Sequence, residues 1–346
     1  MEQTPRDAAD VPLGRFLRAG RGRVLDEHDA SLWSCLEWAT EGGKRFRPRL
    51  LLAAHEALGG RQHEAASRVA DAVELLHTAF VIHDDVIDGD TVRRGRPNVT
   101  GTFVDRARGS GVHGDRARRY GEAAGILAGD LALAGAVREV ALCGTDPTTT
   151  ARLLDLLEDV LHRSAAGELA DVRVSMTGVA DVAEALAIAE WKTAAYSFQL
   201  PLQAGAVLAG AEERVVALLG EAGRLMGVAF QLQDDLDGVF GEAATTGKDP
   251  LSDLREGKGT ALVAHARATG VWPELSAYVG RADLDERAAA RARDLLTECG
   301  ARDAVETLAA QYCAVAEQAL GLLPPPAAGL MRELLAPARP RVRGAA

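Results

Sequence analysis

Three aspartates end an apolar stretch of the chain near residue 80. Asp84 and Asp88 are four residues apart, so they share one face of an α-helix, and Asp85 lies beside them. Carboxylates that are forced together require a cation, and a site with only oxygen ligands favours Mg²⁺ over Zn²⁺. The arginine-rich segment RRGRP (93–97) follows where this helix is expected to end. Carboxylates that hold Mg²⁺ beside arginines predict a binding site for a phosphate or a diphosphate.

A second acidic segment repeats this pattern 150 residues later. Gln231, Asp234 and Asp237 recur every three residues and lie near one helix face, and Asp235 stands beside Asp234. A single short acidic pattern is often only the solvated end of a helix. Two copies on long apolar helices instead favour Mg²⁺ ions held between facing helices, with a diphosphate bridging them.

A basic segment precedes the first acidic one. In GGKRFRP (42–48), two glycines allow the backbone to approach an anion closely, and Lys44 and Arg47 come near one another if the segment turns into a helix. Positive charge at a helix N-terminus opposes the helix dipole, which favours a bound anion over a bare surface helix. His77 lies on the Asp84 face, where it suits a hydrogen bond to phosphate; a packed core histidine is the alternative.

Further basic residues lie in the second half of the chain. Lys192 precedes Thr193 in an apolar segment, where a lysine is costly to bury unless it is paired; a side chain that extends to solvent is the alternative. Lys248 and Lys258 lie in glycine-rich surroundings after the second acidic segment and are candidates to close over a phosphate. The GxxxxGK[ST] pattern is not complete there and no strand is expected before it, which argues against a P-loop.

Composition restricts the class of protein. The chain has 346 residues and a net charge of −11, which argues against broad binding to nucleic acid or anionic membranes. The four cysteines are scattered without a CxxC pair, which fits a reduced cytoplasmic compartment and gives no zinc or disulfide framework. The N-terminal segment is not a signal peptide. No apolar run reaches the ~20 residues needed to span a bilayer, since Asp130 and Gln203 interrupt the longest candidates.

Apolar residues recur at helical spacing along most of the chain, and the alternation typical of strands is nearly absent. We therefore predict an all-α fold in which some apolar helices are surrounded by others. Helices are expected over 50–57, 67–88, 121–143, 149–170, 182–208 and 213–240, with a pair over 283–322 divided at 299–300; breaks are expected at 59–60, 89–114, 144–147, 178 and 241–259.

The domain organisation follows from the lack of a dividing linker. We predict one helical bundle over 31–322, preceded by an N-terminal extension or first helix (1–30). A Pro/Ala/Arg-rich segment (323–346) is expected to hold a short helix and then a frayed tail.

Six ordered segments resemble the signature motifs of the trans-isoprenyl diphosphate synthases, also called polyprenyl synthetases. They read GGKRFRP, ELLHTAFVIHDDVID, RRGRP, KTAAYS, FQLQDDLDG and GKDPLSDLREGKGT, and they extend from Gly42 to Thr260. The Ala/Arg-rich style of the chain is similar to that of actinobacterial geranylgeranyl diphosphate synthases. The resemblance implies a homodimeric, single-domain isoprenoid-synthase-type bundle whose two aspartate-rich helices face each other across a deep central cavity.

The resemblance also implies an activity and a set of site residues. The activity is the Mg²⁺-dependent head-to-tail condensation of isopentenyl diphosphate with an allylic diphosphate, by ionisation, condensation and elimination, with three Mg²⁺ ions and a trans-prenyl diphosphate product. The metal ligands would be Asp84, Asp88 and Asp234, and the catalytic set would add Asp85, Lys192 and Asp235. The isopentenyl diphosphate site would comprise Lys44, Arg47, His77 and Arg94. The allylic diphosphate site would comprise Arg93, Lys192, Thr193, Gln231, Lys248 and Lys258.

Two features bear on the second motif and on product length. The fifth position of the second motif is Gly238 rather than aspartate, and Asp237 lies about 100° away around the helix, which puts the metal geometry there in doubt. Phe80, with Ala79 and Leu76, resembles the floor that limits chain growth in this family. We expect geranylgeranyl diphosphate as the product, with farnesyl or longer polyprenyl diphosphates as alternatives.

Other classes of protein make different demands on these residues. A terpene cyclase ionises the same diphosphates but does not need a second diphosphate site, so Lys44, Arg47 and His77 speak against it. A non-catalytic regulatory subunit of a synthase would be expected to lose motif residues, and nearly all are present. A di-iron bundle is excluded because no ExxH pair occurs on matching helices. We expect no nucleic-acid partner, no stable membrane insertion and a cytoplasmic location.

Overall fold

The structure, a computed structural model, describes residues 13–43, 45–178, 180–241, 252–281, 283–323 and 325–336. Within these ranges the regular structure is helical except for one two-stranded hairpin, so the predicted all-α fold is confirmed. The earlier elements are α1 (Gly14–Arg21), α2 (Glu27–Thr40), α3 (Phe46–Ala57), α4 (His63–Ile87), β1 (Val92–Arg93), β2 (Arg96–Pro97), α5 (Val99–Gly109), α6 (Asp115–Ala141) and α7 (Pro147–Thr177). The later elements are α8 (Val182–Ile188), a π-helix (Ala189–Gln199), α9 (Leu200–Leu208), α10 (Glu213–Phe240), α11 (Ser252–Glu256), α12 (Ala261–Arg267), α13 (Trp272–Leu275), α14 (Glu286–Glu298), α15 (Ala301–Leu320) and α16 (Pro325–Leu335).

The chain divides into two compact units. Unit 1 lies within Met1–Asp155 and Val207–Gly210, and unit 2 lies within Leu156–Ala206 and Ala211–Ala346. The predicted domain boundaries at residues 30 and 322 separate the two ends of the chain from the bundle, whereas these units divide the bundle itself. The predicted boundaries stay a prediction.

Unit 1 is organised around the close packing of α4 on α6. Small residues on α6 make the close approach possible: a Cβ at Gly129 would lie 2.1 Å from the ring of His83, and one at Gly125 would lie 2.4 Å from Val86. Any larger side chain at these positions would displace the end of α4. Glycines on α6 therefore fix the place of the first acidic segment.

Unit 2 is organised around α10, which packs against the π-helix and α15. A Cβ at Gly227 of α10 would lie 2.4 Å from Ala194, and one at Gly223 would lie 2.9 Å from the backbone of Gln199. The π-helix thus lies directly on α10. Since π-helical turns are frequent at functional sites, this segment is a candidate for positioning site residues.

The long predicted helices exist, with shifted ends. The predictions of continuous breaks over 89–114 and 241–259 are wrong, because α5 occupies Val99–Gly109 and α11 occupies Ser252–Glu256. Asn98 caps α5 by accepting a hydrogen bond from the Gly101 N–H (2.8 Å), a start signal that the surrounding glycines obscured. The helix expected over 182–208 changes its hydrogen-bonding pattern at the π-helix, and apolar spacing does not reveal such a change.

Among the described residues, α10 is the one helix long and apolar enough to cross a membrane by length and composition. The sequence analysis considered the apolar runs that Asp130 and Gln203 interrupt, and it did not consider this helix. In the structure 61% of its most apolar window is buried inside the protein. We therefore interpret α10 as a core helix.

Candidate active site

The hairpin of β1 and β2 carries three arginines, and Arg94 lies in its turn. Val92 pairs with Pro97 and Arg93 with Arg96, so Arg94 and Gly95 form the two-residue turn. Both turn residues have positive φ, 52° and 74°, as a tight hairpin turn of this length requires. Glycine adopts this conformation freely, whereas Arg94 does so at some cost, which suggests that its position is used.

The glycines of GGKRFRP make room for Arg94. Gly42 and Gly43 have φ of +75° and +78°, and a Cβ on either would lie 3.1 and 3.5 Å from the Arg94 guanidinium. Arg94 Nη1 also donates a hydrogen bond to the Glu41 carbonyl oxygen (2.6 Å). The segment turns into a helix, and α3 begins at Phe46, four residues before the predicted start at residue 50. The glycine pair therefore lets an arginine side chain lie against the backbone.

A pocket in unit 1 gathers these elements. It has a volume of about 510 Å³, part of which is open to solvent. The lining residues come from α2 and the loop after it, α4, the hairpin and the start of α5: Trp38, Ala39, Thr40, Gly42, Glu74, His77, Thr78, Val81, Ile82, Asp85, Arg93, Arg94, Asn98 and Val99. The pocket combines cationic side chains with an apolar wall, as a site for a diphosphate with a short hydrocarbon tail requires.

His77 is neutral in this pocket. Burial, followed by the charges of Arg47, Arg94 and Arg93, holds the pKa of His77 well below its ordinary value. A neutral imidazole still donates one hydrogen bond, so His77 suits a phosphate oxygen without adding charge. Its partial exposure and its place among arginines favour the binding interpretation over the packed-core alternative.

The first acidic motif separates its aspartates by role. Asp85 is 4% exposed and accepts a hydrogen bond from Arg93 Nε (2.8 Å), while Arg93 Nη2 lies 2.6 Å from the same oxygen. Burial raises the pKa of Asp85 and Arg93 opposes that rise. Asp84 is more open, 3.9 Å from Arg93, and Asp88 is exposed at the end of α4. Asp85 thus anchors an arginine, whereas Asp84 is partly exposed and Asp88 is exposed.

The second acidic motif has a comparable division. Asp235 is buried and accepts a hydrogen bond from Gln231 Nε2 (2.9 Å), and Gln231 Oε1 accepts one from Thr193 Oγ1 (2.9 Å). Asp234 is partly exposed, and Asp237 accepts a hydrogen bond from Gln233 (2.9 Å). Three predicted site residues therefore form one hydrogen-bonded chain in unit 2, with Asp234 beside it.

Lys192 has carboxylate partners in unit 2. Its Nζ lies 2.9 Å from Glu168 and 2.7 Å from Asp171, both on α7. Gly167 permits this contact, since a Cβ there would lie 2.6 Å from the Lys192 backbone nitrogen. The expectation that a lysine in this apolar segment must be paired agrees with these contacts.

The remaining predicted site residues are three lysines and the residues of the expected floor. Lys44 and Lys248 lie outside the described residues. Lys258 pairs with Glu256 (2.8 Å) and is partly exposed. Of the residues expected to form the floor, Leu76 and Ala79 are fully buried, whereas Phe80 is partly exposed like Asp84 one turn later.

Sequence reasoning missed several residues of these sites. Arg45 acts electrostatically on Glu74, which lies one turn before His77 and lines the pocket. Trp38, also in the lining, lies under the guanidinium of Arg96 (4.5 Å to the ring centroid). The partners of Lys192, Glu168 and Asp171, are missing from the predicted set as well. The available signals were two spacings in the sequence. Glu74 lies three residues before His77, and Glu168 and Asp171 lie three residues apart beside Gly167.

Among the described residues no group of three histidine, cysteine or acidic side chains forms a ready-made metal site. Asp84 and Asp88 lie one helical turn apart at the end of α4.

Comparison with known proteins extends this reading over most of the chain. The family model for polyprenyl synthetases matches residues 31–295. A geranylgeranyl diphosphate synthase from Methanosarcina mazei is 34% identical over 282 residues, covering 82% of this chain and 80% of the relative. A geranylfarnesyl diphosphate synthase from Aeropyrum pernix is 34% identical over 288 residues, covering 82% of this chain and 84% of the relative. The crystal structure of geranylgeranyl pyrophosphate synthase from Corynebacterium glutamicum, complexed with isoprenyl diphosphate and magnesium, has a TM-score of 0.86 at 30% identity, covering 95% of this chain and 96% of that one.

These likenesses and the helical fold define a class of enzyme, the prenyltransferases that synthesise trans-prenyl diphosphates. Within that class, the chain belongs to the polyprenyl synthetase family. The predicted resemblance, including that to actinobacterial geranylgeranyl diphosphate synthases, is confirmed.

Proposed function

We propose that the protein condenses isopentenyl diphosphate with an allylic diphosphate and releases geranylgeranyl diphosphate. The observation that carries this proposal is the pocket of unit 1, where Arg93, Arg94 and a neutral His77 line an apolar wall. A cyclase needs no such second diphosphate site. The relatives support the class of product but differ in its length, since one makes a geranylgeranyl and another a geranylfarnesyl diphosphate.

The pocket of unit 1 is the proposed site for isopentenyl diphosphate. Arg94 and His77 line it, and the charge of Arg47 acts on His77 and on Glu74 in the same lining. Guanidinium groups bind phosphate oxygens in pairs and stay charged at any physiological pH, so the site holds the diphosphate without a metal. Lys44, outside the described residues, is assigned to this site by resemblance alone.

The two acidic motifs are the proposed Mg²⁺ ligands. Asp84 and Asp88 would bind from the first motif and Asp234 from the second, with three ions in the loaded enzyme. When bound, Mg²⁺ neutralises the allylic diphosphate and stabilises it as a leaving group. The ligand set is all oxygen, as this ion prefers.

The allylic diphosphate would also contact cationic and polar side chains. Lys192 and Thr193 are held by partners on α7 and α10, so their positions are set before substrate arrives. Their stabilisation of negative charge as the diphosphate departs lowers the barrier to ionisation. The proposed set is completed by Arg93, Gln231, Lys248 and Lys258.

The chain's apolar side chains have a role of their own in the proposed reaction. Loss of the diphosphate leaves an allylic cation that water would destroy, so the walls around it must exclude water. The double bond of isopentenyl diphosphate then attacks this cation, which forms the new carbon–carbon bond and a second cation. That cation loses a proton to the released diphosphate, and a double bond forms again. No nucleophilic serine or cysteine takes part.

Phe80 is the proposed floor for the growing chain. It lies four residues before Asp84 on the same helix face and keeps partial exposure, whereas Leu76 and Ala79 are buried in the core of unit 1. Phe80→Ala should therefore lengthen the product by one or more five-carbon units. Leu75→Ala, at a fully buried position of α4 outside the expected floor, is the matched control, and it should lower stability by about 2–5 kcal/mol without lengthening the product. An unchanged product from Phe80→Ala would remove Phe80 from this role.

A second copy of the chain is the proposed partner, and the cytoplasm the proposed location. Ile126, Leu127 and Val137 on α6 are 48%, 55% and 39% exposed in the single chain. Large apolar residues exposed along one helix are typical of an interface between subunits. Sedimentation of the purified protein should give the mass of a dimer, and Ile126→Asp should shift it toward the monomer.

The deciding experiment incubates the purified protein with Mg²⁺, isopentenyl diphosphate and allylic starters of five, ten and fifteen carbons. The products are dephosphorylated and sized by chromatography. A single twenty-carbon alcohol supports the proposal, and other linear alcohols correct the length. Cyclic hydrocarbons would indicate a cyclase, and binding without turnover would indicate a regulatory subunit.

A further inference from the structure

A carboxylate lies inside the arginine-lined pocket of unit 1. Glu74 is 7% exposed and lines the pocket one helical turn before His77. Two of the described lining residues are acidic, and the other, Asp85, is paired with Arg93. Glu74 therefore needs its own explanation in a site that binds an anion.

The charges around Glu74 are mostly positive. Arg45, from the segment before α3, Arg47, from the first turn of α3, and Arg94, from the hairpin turn, each lower the pKa of its carboxyl, whereas burial raises it and prevails. On α4 itself the nearest titratable neighbour along the pocket is His77, which is neutral. Glu74 thus faces cations from three separate elements.

These arginines require a counter-charge when no substrate is bound. Guanidinium groups do not lose their protons, so side chains gathered in one pocket repel each other unless an anion is present. Two of them are tied to backbone oxygens, Arg45 to Thr40 (3.2 Å) and Arg94 to Glu41 (2.6 Å), and such bonds orient the groups without neutralising them. Glu74, buried in the lining of the same pocket as Arg94, supplies a negative charge there.

We propose that Glu74 is the internal counter-ion of this arginine cluster, a positioning residue that gathers Arg45, Arg47 and Arg94 in the empty pocket and takes up a proton when a diphosphate replaces it. The ligand class is a diphosphate or its monoester, so the inference rests on the proposed isopentenyl diphosphate site. The uptake follows from electrostatics, because a diphosphate close to a carboxylate penalises its charged form. Burial already raises the pKa of Glu74, which favours its neutral form once a diphosphate is bound.

Calorimetry of diphosphate binding tests the proposal without requiring turnover. Inorganic diphosphate and isopentenyl diphosphate are titrated into the full-length protein without Mg²⁺, so that the acidic motifs do not contribute. Titrations in two buffers of different ionisation enthalpy give the number of protons exchanged. Wild-type protein should take up more protons than Glu74→Gln, and the ligand's own protonation cancels in this difference.

Two further variants make the result specific. Glu74→Asp keeps the carboxylate and should restore most of the uptake, which a purely structural role would not require. Glu64→Gln removes an exposed acid of α4 that does not line the pocket, and it should leave the uptake unchanged. Uptake that is equal in wild type and Glu74→Gln, or that disappears with Glu64→Gln instead, would overturn the proposal.

Steady-state kinetics provide a second readout. The KM of wild type for isopentenyl diphosphate should rise with pH, by up to about tenfold, as Glu74 ionises in the free enzyme, and Glu74→Gln should flatten this rise. The kcat should change little, since Glu74 does not contact the reacting atoms. An inactive protein that still shows Glu74-dependent proton uptake would remove the proposed function and retain this inference. Failure to bind diphosphate at all would remove both.

Discussion

Helices α4 and α10 each carry paired aspartates, yet the residues beneath the pairs differ. Among the described residues α4 buries Asp71, Glu74 and Thr78 below its motif, whereas every buried residue of α10 before Asp235 is apolar or glycine. The same sequence pattern therefore belongs to two kinds of helix. Helix α4 has buried polar groups along its length and lines a charged pocket, whereas α10 is a core helix with buried polar groups only near its end.

The paired aspartates differ in their counter-groups as well. Asp85 faces the guanidinium of Arg93, while Asp235 faces the neutral amide of Gln231. Beyond the pairs, Asp88 is exposed at the end of α4, whereas Asp237 is bonded to Gln233 and the next residue, Gly238, is buried. The first motif thus offers two open carboxylates and the second offers Asp234.

The largest expected effect concerns the last aspartate of each motif. Asp88→Asn should lower kcat by about 10²–10³-fold, the loss typical of one removed electrostatic partner of the transition state. Asp237→Asn should lower it by less than about fivefold, because Asn retains an acceptor for Gln233 and the carboxylate is not a proposed ligand. Initial rates over a Mg²⁺ titration measure both. Equal losses would show that Asp237 does replace the missing aspartate at position 238.

A smaller effect concerns the buried aspartates. Asp85→Asn leaves Arg93 without its ion pair and should lower the free energy of unfolding by about 2–3 kcal/mol, below the range for fully buried pairs because Arg93 is 36% exposed. Asp235→Asn keeps an acceptor for Gln231 and should cost about 1 kcal/mol. Urea denaturation compares the two, with the exposed Asp90→Asn as control. The reverse order would mean that the amide contact, rather than the ion pair, is the stronger restraint.

Periodicity and motif spacing predicted the long helices and most of the proposed site residues. Apolar spacing reports which face of a helix is buried, so α4 and α10 were accessible to it, as was the shared face of Asp84 and Asp88. The roles of Asp85 and Asp235 were not, because their partners Arg93 and Gln231 are chosen by side-chain geometry rather than by spacing.

Contacts between distant segments could not be predicted from the sequence, for a related reason. Lys192 meets Glu168 and Asp171 because Gly167 lets α7 approach the π-helix backbone, and no local pattern encodes that approach. Glu74 was overlooked because an acid in an anion site contradicts simple charge matching. Its surroundings explain it only when the arginines from three elements are seen together.

A pH-dependent effect concerns Asp71, which tests whether the buried acids of α4 make that helix sensitive to pH. Burial, followed by the charge of Glu139, raises the pKa of Asp71 to about 7 from an ordinary value of 3.8. The folded state therefore holds this proton more tightly than the unfolded chain. The resulting stabilisation is complete below pH 3.8 and is lost as the pH rises through 7.

Asp71→Asn cannot ionise, so it escapes this loss. Relative to wild type, the variant should gain roughly 2 kcal/mol of unfolding free energy between pH 5 and pH 8. Urea denaturation at intervals across this range measures the difference, and Glu74, present in both proteins, cancels from it. A difference that does not change with pH would assign the effect of Asp71 to packing. In that case the buried acids that distinguish α4 from α10 would matter for the pocket and its ligand, and not for the stability of the helix that carries them.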